Sequence, residues 1–326
     1  MPEAALSLND VTFFGSRFAR PECVLATRSG DVFASDRRGG VSHVLSGGEH
    51  RLYIGGTLDL PEPLHSNGIA LERGGSFLVA HLGTHEGGVF RLTRDRQLRP
   101  VLREVDGWAM TSTNFVLLDD VPGRTWITVC TRRTPRMSAF SADVDDGYII
   151  CLDENGARVV ADGLGFANEC RLDPSRRWIY VNETYKRPLT RFAVAADGAL
   201  SGREIVSSFG PGEFPDELSF DDQGGAWITT IVANRVLRVS PDGTGATMID
   251  ESHPEHIAEV EEAYRTGPVE KSKIDAIRST AFANVSSLAF AGPDLRTGIF
   301  GVLLSDRLPT VRLPFAGSKP VHWDWG

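Results

Sequence analysis

The chain has 326 residues, 41% of them hydrophobic and 24% charged, and carries a net charge of −9. This is the composition of a globular protein with ample core, and its acidic balance argues against a nucleic-acid partner, which wants a basic face. No apolar run approaches the ~18 residues of a membrane span, and Cys23, Cys130, Cys151 and Cys170 form no CxxC pair, so zinc-finger and thioredoxin-like readings fail and reduced thiols are expected.

The opening stretch, MPEAALSLNDVTFF, has no basic segment leading into an apolar run, which predicts no signal peptide and a cytoplasmic protein. From Pro21 onward the chain repeats itself. PECVLATRSGDVFASD starts at Pro21, SNGIALERGGSFLVAH at Ser66, TNFVLLDDVPGRTWITV at Thr113, ANECRLDPSRRWIYVNE at Ala167 and PDELSFDDQGGAWITT at Pro215. A weaker copy, VSSLAFAGPDLRTGIFGVLL, starts at Val285. Each unit has a polar residue, an apolar strand, a turn built on Gly, Pro or Asp, and a second apolar strand. Two further short strands follow, as GVFRLTR and RPVLREV do in the second unit. The pairs LDD (118–120) and FDD (220–222) stand where a turn is needed and are read as turn formers.

The polar residues that open the units are Glu22, Asn67, Asn114, Asn168, Asp216 and Ser286, separated by 45, 47, 54, 48 and 70 residues. A period near 45–50 with four strands per unit predicts an all-β, six-bladed β-propeller, one domain over residues 1–326. SLNDVTFF is expected to supply the outer strand of the last blade, closing the ring and removing an open edge. The long last spacing comes from ESHPEHIAEVEEAYRTGPVEKSKIDAIR, a helical insertion at about 251–278 between blades five and six. Ser252 and Glu255 fit a capping box, Pro254 suits a first turn, and Ile257, Val260 and Tyr264 share one face, which predicts a helix over about 253–265. The insertion is expected at the site's mouth, as a partial lid or an oligomer contact. The final VHWDWG reads as a packed tail.

In a propeller the first strand of each blade lines the central channel, so the six opening residues should ring one of its mouths. Polar residues at strand starts also serve as caps and turns. Here, however, five of the six are carboxylates or amides, hard oxygen donors of the kind that hold Ca²⁺, Mg²⁺ or Mn²⁺. Three loops should lie at the same mouth: HLGTHEGG with His81 and His85, CTRRTPRMSAFSADVDDG with Arg132, Arg133 and Arg136, and NETYKRP with Asn182, Tyr185 and Lys186. Their basic residues are either holders of an acidic substrate group or solvated loop charge.

Across nearly its whole length the repeat resembles the senescence-marker-protein/gluconolactonase family of six-bladed propellers. The resemblance is carried by PEC (21–23), TSTN (111–114), FANE (166–169), FPDELSFDDQGGAWIT (214–229) and AGPDLRTGIF (291–300), the last two being the most specific. It implies a divalent metal held by Glu22, Asn168 and Asp216, with Asn114 holding substrate or water, and hydrolysis of a lactone, often a sugar lactone. Calcium is the first expectation for the metal, and Zn²⁺, Mg²⁺ and Mn²⁺ also suit such sites. Asp216 would be the catalytic base.

The sequence departs from the family at Ser112, where arginine is frequent, at Phe115, where aspartate is, and at Glu169, where glycine is usual. These departures point to a less polar lactone or ester, with Asn114, Ser112, Phe115, Glu169, His81 and Tyr185 as expected substrate-binding residues. Alternatives are a phosphotriesterase of the diisopropyl-fluorophosphatase type and a non-catalytic propeller that binds a protein partner. The chain has no G-x-S-x-G elbow, no H-E-x-x-H and no Walker loop.

Overall fold

A computed structural model describes residues 6–55, 60–277 and 279–325. The repeats become six four-stranded antiparallel sheets, and five of them take their strands in strict chain order. The innermost strands are Val24–Ala26, Ser66–Leu71, Thr113–Leu118, Ala167–Leu172, Glu213–Phe220 and Val285–Ala291. Each touches the next, and the last touches the first, so the sheets close into a six-bladed propeller. A small ribbon, Glu104–Val105 paired with Trp108–Ala109, joins blades two and three.

Every blade is sandwiched between two others, which explains the sequence pattern. The second strands Phe77–His81, Thr125–Val129 and Ala226–Val232 are buried throughout, so they read as continuous apolar runs rather than alternating ones. Only outer strands such as Leu200–Ser208 face water along most of their length. Between blades, side chains of adjacent sheets interdigitate. One such cluster runs from Phe33 and Phe77 through Phe115 and Trp126 to Ile149 and Ile179.

The ring closes as expected. Thr12–Phe14 pairs antiparallel with Leu308–Arg312, as the outer strand of the sheet that holds Val285–Ala291. The hydroxyls of Thr12 and Thr310 lie 2.7 Å apart across that seam.

The paired aspartates are turn formers, as read. Asp221 accepts from the backbone N–H groups of Gln223 and Gly225, from Trp227 Nε1 at 2.9 Å and from Arg238 Nε at 2.6 Å. Asp119 does the same more loosely, with Val121 N–H, Trp126 Nε1 and an Arg124 nitrogen at 3.8 Å. The tail packs against the far mouth of the channel. Ser318 donates to the Asp221 carbonyl, and Trp323 is buried.

The insertion forms helix α1 (Pro254–Thr266) and the single turn α2 (Lys271–Ile274). The expected capping box is not made. His253 is the N-cap and has no side-chain cap bond; Ser252 is drawn instead to Arg235 and Asp250. The helix is held by packing. Val260 is buried, Ile257 lies over Gly212, and the Tyr264 hydroxyl donates to the Tyr185 carbonyl. None of the described helices is long and apolar enough to cross a membrane.

Asp221→Ala removes the buried carboxylate that Arg238 Nε leans on, and should lower unfolding stability by about 3–5 kcal/mol. Asp119→Ala, with its looser partner, should cost about 1–3 kcal/mol. Urea unfolding monitored by tryptophan fluorescence checks the order; equal losses would contradict it.

Candidate active site

The opening residues stand together because of a local irregularity repeated round the ring. In blades two to six the register between the first and second strands slips at the strand head: between Ser66 and Ile69, Thr113 and Phe115, Ala167 and Cys170, Pro215 and Leu218, and Val285 and Ser287. A bulge of this kind inserts an unpaired residue and re-aims its side chain. The inserted residues include Asn67, Asn114, Asn168, Asp216 and Ser286. In blade one a turn does the work, with the Glu22 N–H donating to the Arg20 carbonyl. Arg20, Phe166 and Asn284 take left-handed backbone angles (φ 50°, 70° and 61°) two residues ahead of Glu22, Asn168 and Ser286.

Glu22, Asn114, Asn168 and Asp216 meet on the wall of one cleft of about 490 Å³, open solvent at its mouth included. The Asn168 amide donates through Nδ2 to Asp216 Oδ1 at 2.5 Å and to Thr184 Oγ1 at 2.9 Å. Thr184 Oγ1 in turn donates to the Pro215 carbonyl at 2.8 Å. Asn182 Nδ2 fixes the Asp216 carbonyl at 3.0 Å. Across the mouth, Asn67 Nδ2 donates to Asn114 Oδ1 at 3.3 Å, and Arg20 bridges Asn67 Oδ1 and the Glu22 carboxylate. The hydroxyls of Ser286 and Ser287 both donate to the Glu22 carbonyl.

Among the described residues that line the cleft, two acceptor atoms are buried and receive no hydrogen bond: Asn168 Oδ1 and Glu22 Oε2. The second lies against the Arg20 guanidinium. Burial, followed by the charge of Glu22, holds the Asp216 carboxyl well above the usual carboxylate range. Two buried carboxylates and an amide oxygen with no donor are a donor set that a hard divalent cation satisfies, since the cation removes both the repulsion and the orphaned acceptor.

The remaining walls are apolar and aromatic. Phe140 stacks on Tyr185 at 4.9 Å between ring centroids, and Phe166 meets Tyr185 edge-on at 4.9 Å. Ile274 and Lys271 of α2 also line the cleft, so the insertion forms part of its wall.

Four residues expected to bind substrate do not line this cleft. Phe115 is fully buried in the core between blades, with Arg171 over its ring at 4.8 Å. The bulge aims Asn114 at the mouth, and the next residue returns to the pleat and faces the neighbouring blade. Ser112 is buried and donates to the Gly83 carbonyl. His81 is fully buried, its Nδ1 accepting from the His65 N–H at 3.0 Å. Glu169, which the family pattern replaces with glycine, is neither exposed nor in the cleft. It is buried deeper in the channel, paired with Arg171 and close to Glu217. Burial raises both carboxyls, Glu217 the further.

A cluster of Glu62, His81 and Glu86 brings three ligand-type atoms within 4.8 Å of one another. Glu62, however, already accepts the N–H groups of Thr84, His85 and Glu86, which makes it a turn clamp.

Sequence reasoning missed Arg20 and Phe166, which stand two residues ahead of ring residues, and Phe140, which sits in a long loop without periodicity. The arginines of that loop separate. Arg132 pairs with Asp162 and Arg133 with Asp143, while Arg136 is buried in the cleft wall.

The family described as SMP-30/Gluconolactonase/LRE-like region matches residues 21–260. A 6-deoxy-6-sulfogluconolactonase of Pseudomonas putida is 33% identical over 190 residues, which span 57% of this chain and 60% of that protein. Among solved structures, a gluconolactonase of Xanthomonas campestris superposes with a TM-score of 0.66 at 18% identity, covering 93% of this chain and 89% of that one. The calcium-binding protein regucalcin of Agrobacterium tumefaciens gives a TM-score of 0.67 at 16% identity, covering 98% and 97%. At such identities the two structures speak for the fold.

Phe115→Leu should lower stability by about 1 kcal/mol and leave the ranking of polar against apolar substrates unchanged. A folded variant with an altered ranking would put Phe115 back at the substrate.

Proposed function

Because the chain belongs to the SMP-30/gluconolactonase/LRE-like family, we propose that it hydrolyses a lactone at this cleft, with Glu22, Asn168 and Asp216 holding a divalent cation. The observation that carries the reading is the buried Asn168 Oδ1, which receives no hydrogen bond and stands beside the buried carboxylates of Asp216 and Glu22. Each of the three comes from a different blade, and the ring uses their oxygens for little else. A propeller that only docks a partner has no need of two buried acids at its mouth, where they weaken the fold. The likeness to a sulfogluconolactonase and a gluconolactonase adds support.

The donors are carboxylate and amide oxygens, which favours calcium over softer metals, in keeping with the calcium-binding regucalcin that shares the fold. When bound, the cation supplies Lewis-acid polarisation of the lactone carbonyl and a lowered pKa for water. The remaining chemistry belongs to the chain. Asp216 Oδ1 is engaged by Asn168, so Oδ2 takes the proton from the attacking water and returns it to the ring oxygen as the C–O bond breaks. Arg20 neutralises part of the Glu22 charge and keeps that carboxylate facing the cleft. Asn114, its Oδ1 fixed by Asn67, orients a substrate hydroxyl or the water. Phe140, Phe166 and Tyr185 present flat apolar faces that fit the C–H face of a sugar ring and exclude bulk water. With Phe115 out of the cleft, a sugar lactone fits these walls.

Chelation should abolish hydrolysis of sugar lactones, and added calcium should restore it. Asp216→Asn in cation-replete protein should lower kcat about 10²- to 10⁴-fold. A pH-stat assay measures both; turnover near wild type in Asp216→Asn would remove Asp216 from the chemistry.

A further inference from the structure

Among the described residues Arg136 has no hydrogen-bonded or ion-paired counter-charge. It opens a short 3-10 turn, Arg136–Ala139, in the long loop of blade three, and its N–H is anchored on the Thr84 carbonyl of blade two at 2.9 Å. The residue is 6% exposed, and its Nε is buried without a hydrogen-bond partner. Among the described residues no hydrogen bond or ion pair reaches its side chain. Other deeply placed arginines are treated differently: Arg20 leans on Glu22, Arg187 on Glu261 and Arg238 on Asp221.

A buried guanidinium keeps its proton, and leaving it uncompensated costs several kcal/mol. Its neighbours do not neutralise it. Burial pushes the Cys130 thiol up to about 12 and raises the Tyr185 phenol well above its ordinary value, so both stay uncharged. Glu22 is shared with Arg20, and Lys271, the other cation among the described residues of the cleft, is held by Asp275 at 2.5 Å. The aromatic walls around Arg136 keep water out and strengthen any ion pair formed there. The missing anion therefore has to arrive with the ligand.

We propose that the cleft takes a lactone bearing an anionic substituent, a sulfonate, phosphate or carboxylate, with Arg136 as its counter-ion. The word lactone rests on the function proposed above; the anion rests on the cleft itself. The guanidinium offers a forked set of donors that matches any of these oxyanions. A neutral sugar lactone would leave the buried charge unpaired in the complex, so discrimination against it is built into the wall.

The test compares a neutral sugar δ-lactone with analogues carrying a terminal sulfonate, phosphate or carboxylate, using calcium-loaded protein. Wild type should favour at least one acidic analogue in kcat/KM, and which one it favours identifies the group. Arg136→Met should lower the ratio of acidic to neutral kcat/KM about 10- to 100-fold, with partial recovery in Arg136→Lys. Without ligand, Arg136→Met should melt higher than wild type, because an unpaired buried charge has gone; a structural ion pair predicts the reverse. At fixed ionic strength, inorganic sulfate or phosphate should raise the Tm of wild type and not of Arg136→Met. Wild type preferring the neutral lactone, or a ratio unmoved by the substitution, overturns the proposal. If no lactone is turned over but sulfate still stabilises wild type through Arg136, the lactonase reading falls and the anion subsite stands.

Discussion

The register slip at the head of the inner strand in blades two to six is the constraint on which the site depends. A regular strand alternates its side chains between two faces, and in a propeller both faces are covered by neighbouring blades. A polar residue in regular pleat would be driven into apolar packing. The extra residue breaks the alternation once, at the mouth, and lets a blade deliver one polar group there while the next residue rejoins the core. Asn114 and Phe115 illustrate both outcomes in adjacent positions. Tight backbone packing completes the arrangement: a Cβ on Gly301 would stand 1.9 Å from the Glu22 carbonyl, so blade six can approach Glu22 only as glycine allows.

Charge in the channel is layered. At the mouth stand Glu22 and Asp216, and deeper lie Glu169 and Glu217 with Arg171 between the strands. In the deeper layer Glu169 pairs with Arg171, and burial raises the Glu217 carboxyl well above its ordinary value. In the upper layer Arg20 serves Glu22, and Asn168 Oδ1 is left without a donor. Both layers are buried, but only the residues of the upper one line the cleft.

The fold was legible because repetition multiplies a weak signal. No single unit specifies a blade, but six spaced strand pairs with a polar head do, and the stray strand Thr12–Phe14 finds its place by elimination. The ring of opening residues was legible for the same reason. What the sequence could not reveal depends on side-chain direction. Nothing in TNFV says which residue of the bulge faces the cleft, so Phe115 read as a wall of the pocket when it is core. Nothing in CTRRTPR separates Arg132 and Arg133, each beside an aspartate in space, from Arg136, which has none among the described residues. Ser252 and Glu255 had the spacing of a cap, but Arg235 and Asp250 compete for the serine.

The seam between Thr12–Phe14 and Leu308–Arg312 has a consequence for biosynthesis. In a nascent chain Thr12–Phe14 emerges ahead of every blade, and its partner Leu308–Arg312 emerges after the other five sheets. Blades one to five can form as each hairpin leaves the ribosome, but the circle stays open, with an unpaired edge at each end, until the last sheet emerges. The mouth carboxylates come together in that same final step, because Glu22 abuts Ser286, Ser287 and Gly301 of the sixth blade. A product lacking that blade would carry the strands but not the assembled ring of mouth residues.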